Sequence, residues 1–142
     1  MMTEHIETLA FTIYGEARGE TDAGKIAVAH VILNRFNKAK QNKNKAKQFG
    51  STIKEVCLKK WQFSCWNPND PNLDKILNVK ESDPIFAQCL KLADKVVGGE
   101  FSDMTNGATH YHSIHVEFPK SWGEKKESCS RINNHLFYNN ID

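Results

Sequence analysis

The stretch that starts at Thr21 constrains the fold most. Ile26, Ala27, Val28, Ala29, Val31, Ile32, Leu33 and Phe36 crowd it and leave hardly any polar face. A helix that is apolar on most sides must be enclosed by other elements. The spacing therefore predicts a buried central helix, capped by Thr21 or Asp22 and running to about Asn37. Ile6, Leu9, Ala10, Ile13 and Tyr14 share one face of a 3.6-residue period, which predicts a first amphipathic helix from about Thr3 to Tyr14. Thr3 is its expected N-cap, and Gly15 and Gly19 are expected to weaken it, which leaves Glu16 at or just past its C-terminus.

A third helix is expected in "SDPIFAQCLKLADKVVGGE", with Asp83 as N-cap, Pro84 at the first helical position and Gly98 and Gly99 ending it. "STIKEVCLKK" reads as a short helix capped by Ser51. Pro68 and Pro71 break "WQFSCWNPNDPN", which reads as loop or turn. Alternation in "GATHYHSIHVEF" suggests a short strand or hairpin, with His110 and His112 on one face and Tyr111 on the other. "INNHLFYNN" suggests a terminal strand or turn that packs Leu136, Phe137 or Tyr138 on the core. The expected class is mainly α (α+β), with a buried central helix and a small β hairpin.

The 142 residues suit one domain, 1–142, and 39% hydrophobic with 25% charged residues is the composition of a globular chain. A net charge of +2 gives no argument for nucleic acid, and no apolar run is long enough for a membrane span. The N-terminus lacks the pattern of a secretory signal, so synthesis in the cytoplasm without a leader is the expectation, unless a leader is missing from this stretch. "NKAKQNKNKAKQFG" holds five lysines, and no acid occurs from Ala23 through Lys54. This Lys-rich 38–47 segment reads as a solvated loop, with attraction to an anionic polymer as the functional alternative. Cys57, Cys65, Cys89 and Cys129 form no C-x-x-C pair; buried free thiols are expected, with a Cys57–Cys65 bridge as the alternative.

Three groups of residues are candidates for chemistry. Glu16, in "YGEARGE", lies between one apolar segment and the next. Partial burial penalises the charged form of a carboxyl group, which suits a general acid; a surface pair with Arg18 is the competing reading. Glu20 is the second candidate, though its place favours helix-start electrostatics. Two-carboxylate glycosidases need a partner acid, and Glu20, Asp22, Glu55 and Asp70 are available with no distance to choose among them. In "KWQFSCWN", Trp61, Phe63 and Trp66 alternate with Gln62, Ser64 and Asn67, an inventory suited to sugar rings with amide groups; filling of the core under a loop fits equally. In "HYHSIHVE", His110 and His112 with His30, His135, His115 or Glu117 form a weak zinc pattern, against which a hydrogen-bonding cleft wall is preferred.

"YGEARGETDAGKIAVAHVILNR", "VCLKKWQFSCWN", "GATHYHS" and "NNHLFY", in that order and spacing, resemble the SleB/CwlJ-type cell-wall hydrolase family, which includes spore-cortex-lytic enzymes and phage endolysins. The resemblance covers the chain from about Ile6 to Tyr138. It implies a lysozyme-like fold, peptidoglycan glycan strands as partner, no cofactor or metal, and Glu16 as catalytic acid/base of a lytic transglycosylase. In that chemistry the muramic C6 hydroxyl closes a 1,6-anhydro ring, so a second carboxylate is not required. It also implies that Gln62, Phe63, Ser64, Trp66, Tyr111 and His112 line the glycan groove, and that Arg18 and Asn34 brace the turn holding Glu16. A monomeric, leaderless phage-type endolysin is the expected member, released to act on the wall. A hydrolytic muramidase, a zinc-dependent amidase cutting the muramoyl–alanine bond and a non-catalytic wall-binding module are the alternatives.

Overall fold

The computed structural model describes residues 2–142. Helices α1 (Met2–Ala17), α2 (Asp22–Gln41), α3 (Lys43–Phe49), α4 (Ile53–Leu58), α5 (Pro71–Asn78) and α6 (Pro84–Val97) precede strands β1 (His110–Ser113), β2 (Ser130–Ile132) and β3 (His135–Tyr138). Single 3-10 turns lie at Ser64–Trp66 and Lys120–Trp122. Among the described residues no helix is long and apolar enough to cross a membrane.

α2 is the enclosed helix that its composition demands. Val28, Ala29, Val31 and Ile32 have no exposed surface, and α1, α3, α4, α6 and β2 pack around it. The Thr21 side chain caps it by accepting from the Gly24 N–H. It continues a full turn past Asn37, and the lysine-rich segment is helical rather than a loop. Ala39 is buried on the inner side, Asn42 stops α2, and its side chain accepts from the Asn44 and Lys45 N–H groups to start α3. Lys, Ala and Gln are good helix formers, and burial of Phe49 anchors the far end. The charge run marks the outer face of two helices.

α1 also runs further than its glycines suggest, through Gly15 to Ala17, and Thr3 lies inside it rather than capping it. Gly15 is retained for close approach. A Cβ there would stand 2.6 Å from both Cys65 Cβ and Ile76 Cδ1, so the bare backbone lets the 64–66 turn and α5 lie directly on α1. Thr52, not Ser51, caps α4. Asp70 caps α5 with Pro71 in its first turn, so the second half of the proline-broken stretch is helix. α6 begins and ends as expected, with Asp83 accepting from the Ile85 and Phe86 N–H groups and Gly98 at its C-cap.

The sheet has three antiparallel strands in the order β1-β3-β2, one more than the hairpin expected. β3 is central, with Tyr111 opposite Phe137 and Ile132 opposite His135. The β2–β3 turn passes through Asn133 in the left-handed region, φ 51°. Phe137 and Tyr138 are buried, which fixes the sheet against the helical body. All four cysteines are free, with Cys57, Cys65 and Cys89 buried; burial pushes the Cys57 thiol up to about 12 and Cys89 to about 11.

Candidate active site

Glu16 sits in the last turn of α1, where the close contact at Gly15 brings the 64–66 turn alongside. Its Oε2 accepts from the Cys65 backbone N–H at 3.0 Å and lies 3.4 Å from the Ser64 hydroxyl. Its Oε1 accepts from the Tyr111 hydroxyl at 2.5 Å, across 95 residues of sequence. Burial, then the neighbouring Glu16 charge, pushes the Tyr111 phenol well above its ordinary value, so this hydroxyl stays a donor. Arg18 does not pair with Glu16. Its guanidinium donates to the Tyr14 and Gly15 carbonyls and to Asn72 Oδ1 at 2.7 Å, tying the C-terminal end of α1 to α5.

Glu16 opens into a cavity of about 600 Å³. Gln62, Phe63, Ser64, Tyr111 and His112 line it, together with Trp61, Arg35, His110, Trp122 and His135. A second cavity of about 360 Å³ lies beside it, walled by Glu16, Glu20, Arg18, Asn72 and His135. Trp66, expected in the groove, lines neither. Its indole N–H donates to Thr12 Oγ1 at 3.0 Å, so it pins the 64–66 turn to α1 one turn before Glu16. The exposed aromatic face belongs instead to Trp61, 65% exposed with φ 66°; half-buried Trp122 also lines the cavity, edge-on to His110 and near His112.

The floor is cationic. Arg35 is buried, donates to the Thr109 carbonyl at 2.6 Å and to Gln62 Oε1 at 2.9 Å, and lies over the rings of Phe49 and Phe63. Desolvation lowers it to about 10, which still leaves it charged at neutral pH. It therefore sets the Gln62 amide and holds positive charge under the cavity. Asn34, its neighbour, braces a different place from the one expected: it donates to Asp103 and to the Ala108 carbonyl, fixing the loop that enters β1 rather than the Glu16 turn.

The histidines act as wall. His110 bonds Thr109 Oγ1 at 2.9 Å, and burial, then Arg35, lowers it to about 3. His112 Nδ1 contacts the Ser113 carbonyl at 2.7 Å and Nε2 the Tyr138 hydroxyl at 2.8 Å. Both His112 nitrogens are thus engaged by the protein, and among the described residues no three His, Cys, Asp or Glu side chains converge as metal ligands. Of the carboxylates proposed as partners for Glu16, Asp22 contacts Gln88, Glu55 and Asp70 serve helix starts, and Glu20 alone shares a cavity with it. Glu20 precedes α2 as expected, but its carboxylate turns to His135.

Arg35, Trp122 and His135 went unassigned to the groove on sequence. Arg35 lies in an apolar helix and reads as its polar edge. Trp122 stands alone in a polar stretch. His135 was visible only as one of several possible metal ligands.

The sequence model of the Cell Wall Hydrolase family matches residues 19–138. A spore cortex-lytic enzyme of Oceanobacillus iheyensis is 59% identical over 80 aligned residues, covering 51% of this chain and 26% of that protein. One from Halalkalibacterium halodurans is 59% identical over 32 residues, 22% of this chain and 10% of that protein. The chain thus spans about a quarter or less of the length of these relatives. The catalytic domain of the Bacillus cereus SleB protein has the same fold: TM-score 0.69, 24% identity, covering 97% of this chain and 91% of that one. The catalytic domain of the germination-specific lytic transglycosylase SleB from Bacillus anthracis gives TM-score 0.68 at 24% identity, covering 94% and 93%.

Proposed function

The chain belongs to the cell wall hydrolase family of the SleB/CwlJ type, and from that premise we propose that it is a lytic transglycosylase of peptidoglycan glycan strands, with Glu16 as its single acid/base. The observation that carries this reading is the convergence of Tyr111, Cys65 and Ser64 on one carboxylate at the wall of an aromatic-edged cavity. The matched family span begins at residue 19, so Glu16 rests on this geometry and on the "YGEARGE" block.

In the proposed reaction protonated Glu16 donates to the oxygen joining N-acetylmuramic acid to N-acetylglucosamine. The C1–O bond breaks, the muramic C6 oxygen bonds C1, and a 1,6-anhydro ring closes as the C6 hydroxyl gives its proton to the Glu16 carboxylate, which restores the acid. The hydroxyl and amide donors around Oε2 and Oε1 stabilise the carboxylate formed when the proton leaves. Gln62, held by Arg35, and Ser64 present polar groups to acetamido and hydroxyl substituents, while Trp61 and Trp122 offer faces for the pyranose rings. Residues 1–142 are read as one catalytic domain, monomeric and acting at the cell wall. Spore-cortex enzymes and phage-type endolysins share this substrate, and an endolysin role is one form the activity would take.

Glu16→Gln tests the assignment. Lysis of purified walls is expected to fall by at least about 100-fold while circular dichroism and wall binding are unchanged. Unchanged lysis in this variant removes Glu16 from the chemistry. Loss of wild-type lysis on treatment with a chelator would favour the zinc amidase instead.

A further inference from the structure

Gln62 is an amide whose two ends cannot trade places. The Arg35 guanidinium donates to its Oε1 at 2.9 Å. A guanidinium carries donors only, so an amide turned the other way would set N–H against N–H. Arg35 cannot swing aside to permit it. Its side chain is 4% exposed, its Nε donates to the Thr109 carbonyl at 2.6 Å, and its guanidinium lies over the rings of Phe49 and Phe63. The backbone of Gln62 is held as well: its N–H closes a turn onto the Lys59 carbonyl, and Phe63 beside it is buried. Gln62 therefore presents Nε2 and its two hydrogens to the cavity it lines, and neither is donated to a described residue.

The surroundings add charge of one sign. Arg35 is the buried cation of the floor, and burial, then Arg35, Lys45 and Lys38, keeps His110 neutral in the wall. The carboxylates of the lining are Glu16, which must carry a proton to act as the acid, and Asp142. An amino sugar can enter this cavity with its nitrogen acetylated or free. The acetylated form is neutral and brings a carbonyl oxygen, an acceptor for the Gln62 N–H groups. The free amine lacks that carbonyl and takes up a proton to become a cation. It would leave the Gln62 donors unpaired, sit above a like charge, and favour the ionised form of Glu16.

We propose that Gln62, locked as a donor by Arg35, selects for N-acetylated glycan, so that strands with free amino groups are poor substrates for this site. The inference rests on the reading of the cavity as the glycan groove and adds the class of strand it accepts. Gln62 Nε2 donates to the acetyl carbonyl of a sugar beside Glu16. A site built to hydrogen-bond one substituent rejects the analogue that lacks it, because its own polar group is then left without a partner.

The test compares peptide-free glycan tetrasaccharides in three forms: N-acetylated, with the amines freed, and freed then re-acetylated. Wild-type kcat/KM is expected to be at least about tenfold lower on the free-amine form and restored by re-acetylation. Gln62 is exposed, so its variants should fold, which circular dichroism checks. Gln62→Met keeps the length and removes the donor: cleavage of the acetylated form falls roughly tenfold and the free-amine form is cleaved as before. Gln62→Glu puts an acceptor oxygen where Nε2 was, and the preference is lost or reversed. Equal wild-type rates on the acetylated and free-amine forms, or a preference that survives both variants, overturn the proposal. The acid is read apart from this. Glu16→Gln that still cleaves removes the acid assignment, while calorimetric binding of the same tetrasaccharides to that variant still reports the preference without turnover.

Discussion

Three donors converge on Glu16, and they differ in what holds them. The Cys65 N–H is backbone and cannot turn away, the Ser64 hydroxyl is long at 3.4 Å, and the Tyr111 hydroxyl is short and desolvated. Tyr111 is therefore the single side chain whose loss the carboxylate should feel most. Tyr111→Phe keeps the ring against Phe137 and His135 and removes only the hydroxyl. A hydrogen bond to a charged group contributes about 1.5–3 kcal/mol, so kcat is expected to fall by roughly 10- to 100-fold. Steady-state kinetics on soluble glycan fragments would show it; a kcat equal to wild type would mean that Tyr111 does not hold the carboxylate during turnover.

At the scale of elements, the site depends on α1 touching the 64–66 turn without a side chain between them. Gly15→Ala puts two effects in opposition. Alanine favours an isolated helix by about 1 kcal/mol over glycine, but its methyl would meet Cys65 Cβ and Ile76 Cδ1 at 2.6 Å. Cys65 is fixed through its backbone, so overpacking of about 1–3 kcal/mol wins. The expected result is a lower Tm and an activity loss larger than the unfolded fraction explains, because the Cys65 N–H is pushed off Glu16. A raised Tm would contradict the packing argument. The same contact explains which elements were legible in the sequence. α2 and α6 and most of α1 follow from local periodicity, which needs no partner to be read. The last turn of α1 was hidden because Gly15 looks like a helix breaker until its neighbour is known. α3 was hidden because its lysines outnumber its one buried anchor, Phe49.

Across the whole molecule, the groove gathers residues from α1, α2, α3, the 61–64 segment, β1, the stretch up to Trp122, β3 and the C-terminal end. Glu16, Gln62, Ser64, Tyr111 and His112 were readable as members of motif blocks. Arg35 and His135 also lie within motif blocks, but nothing in those blocks points them at the groove; they and Trp122, which lies outside the blocks, arrive there by tertiary packing. Gathering polar groups under burial also sets the response to acid. Unfolded histidines take up protons near pH 6.5, while folded His110 stays neutral down to about 3. Below pH 6.5 the unfolded chain thus binds more protons than the folded one, and stability falls as pH drops toward 3. Thermal melts across that range should show a declining Tm, and His110→Phe, which keeps the packing against Phe49 and Trp122, should flatten the decline. An equal slope in that variant would assign the acid sensitivity elsewhere.

The central claim is that one glutamate drives a glycosidic cleavage in which the sugar supplies its own nucleophile. Mass analysis of the muropeptides released from purified peptidoglycan tests it most directly. The account predicts 1,6-anhydromuramic ends from the wild type, one water lighter than hydrolysed ends, and no such products from Glu16→Gln. Hydrated reducing ends from the wild type, or anhydro ends from the variant at the wild-type rate, would contradict it.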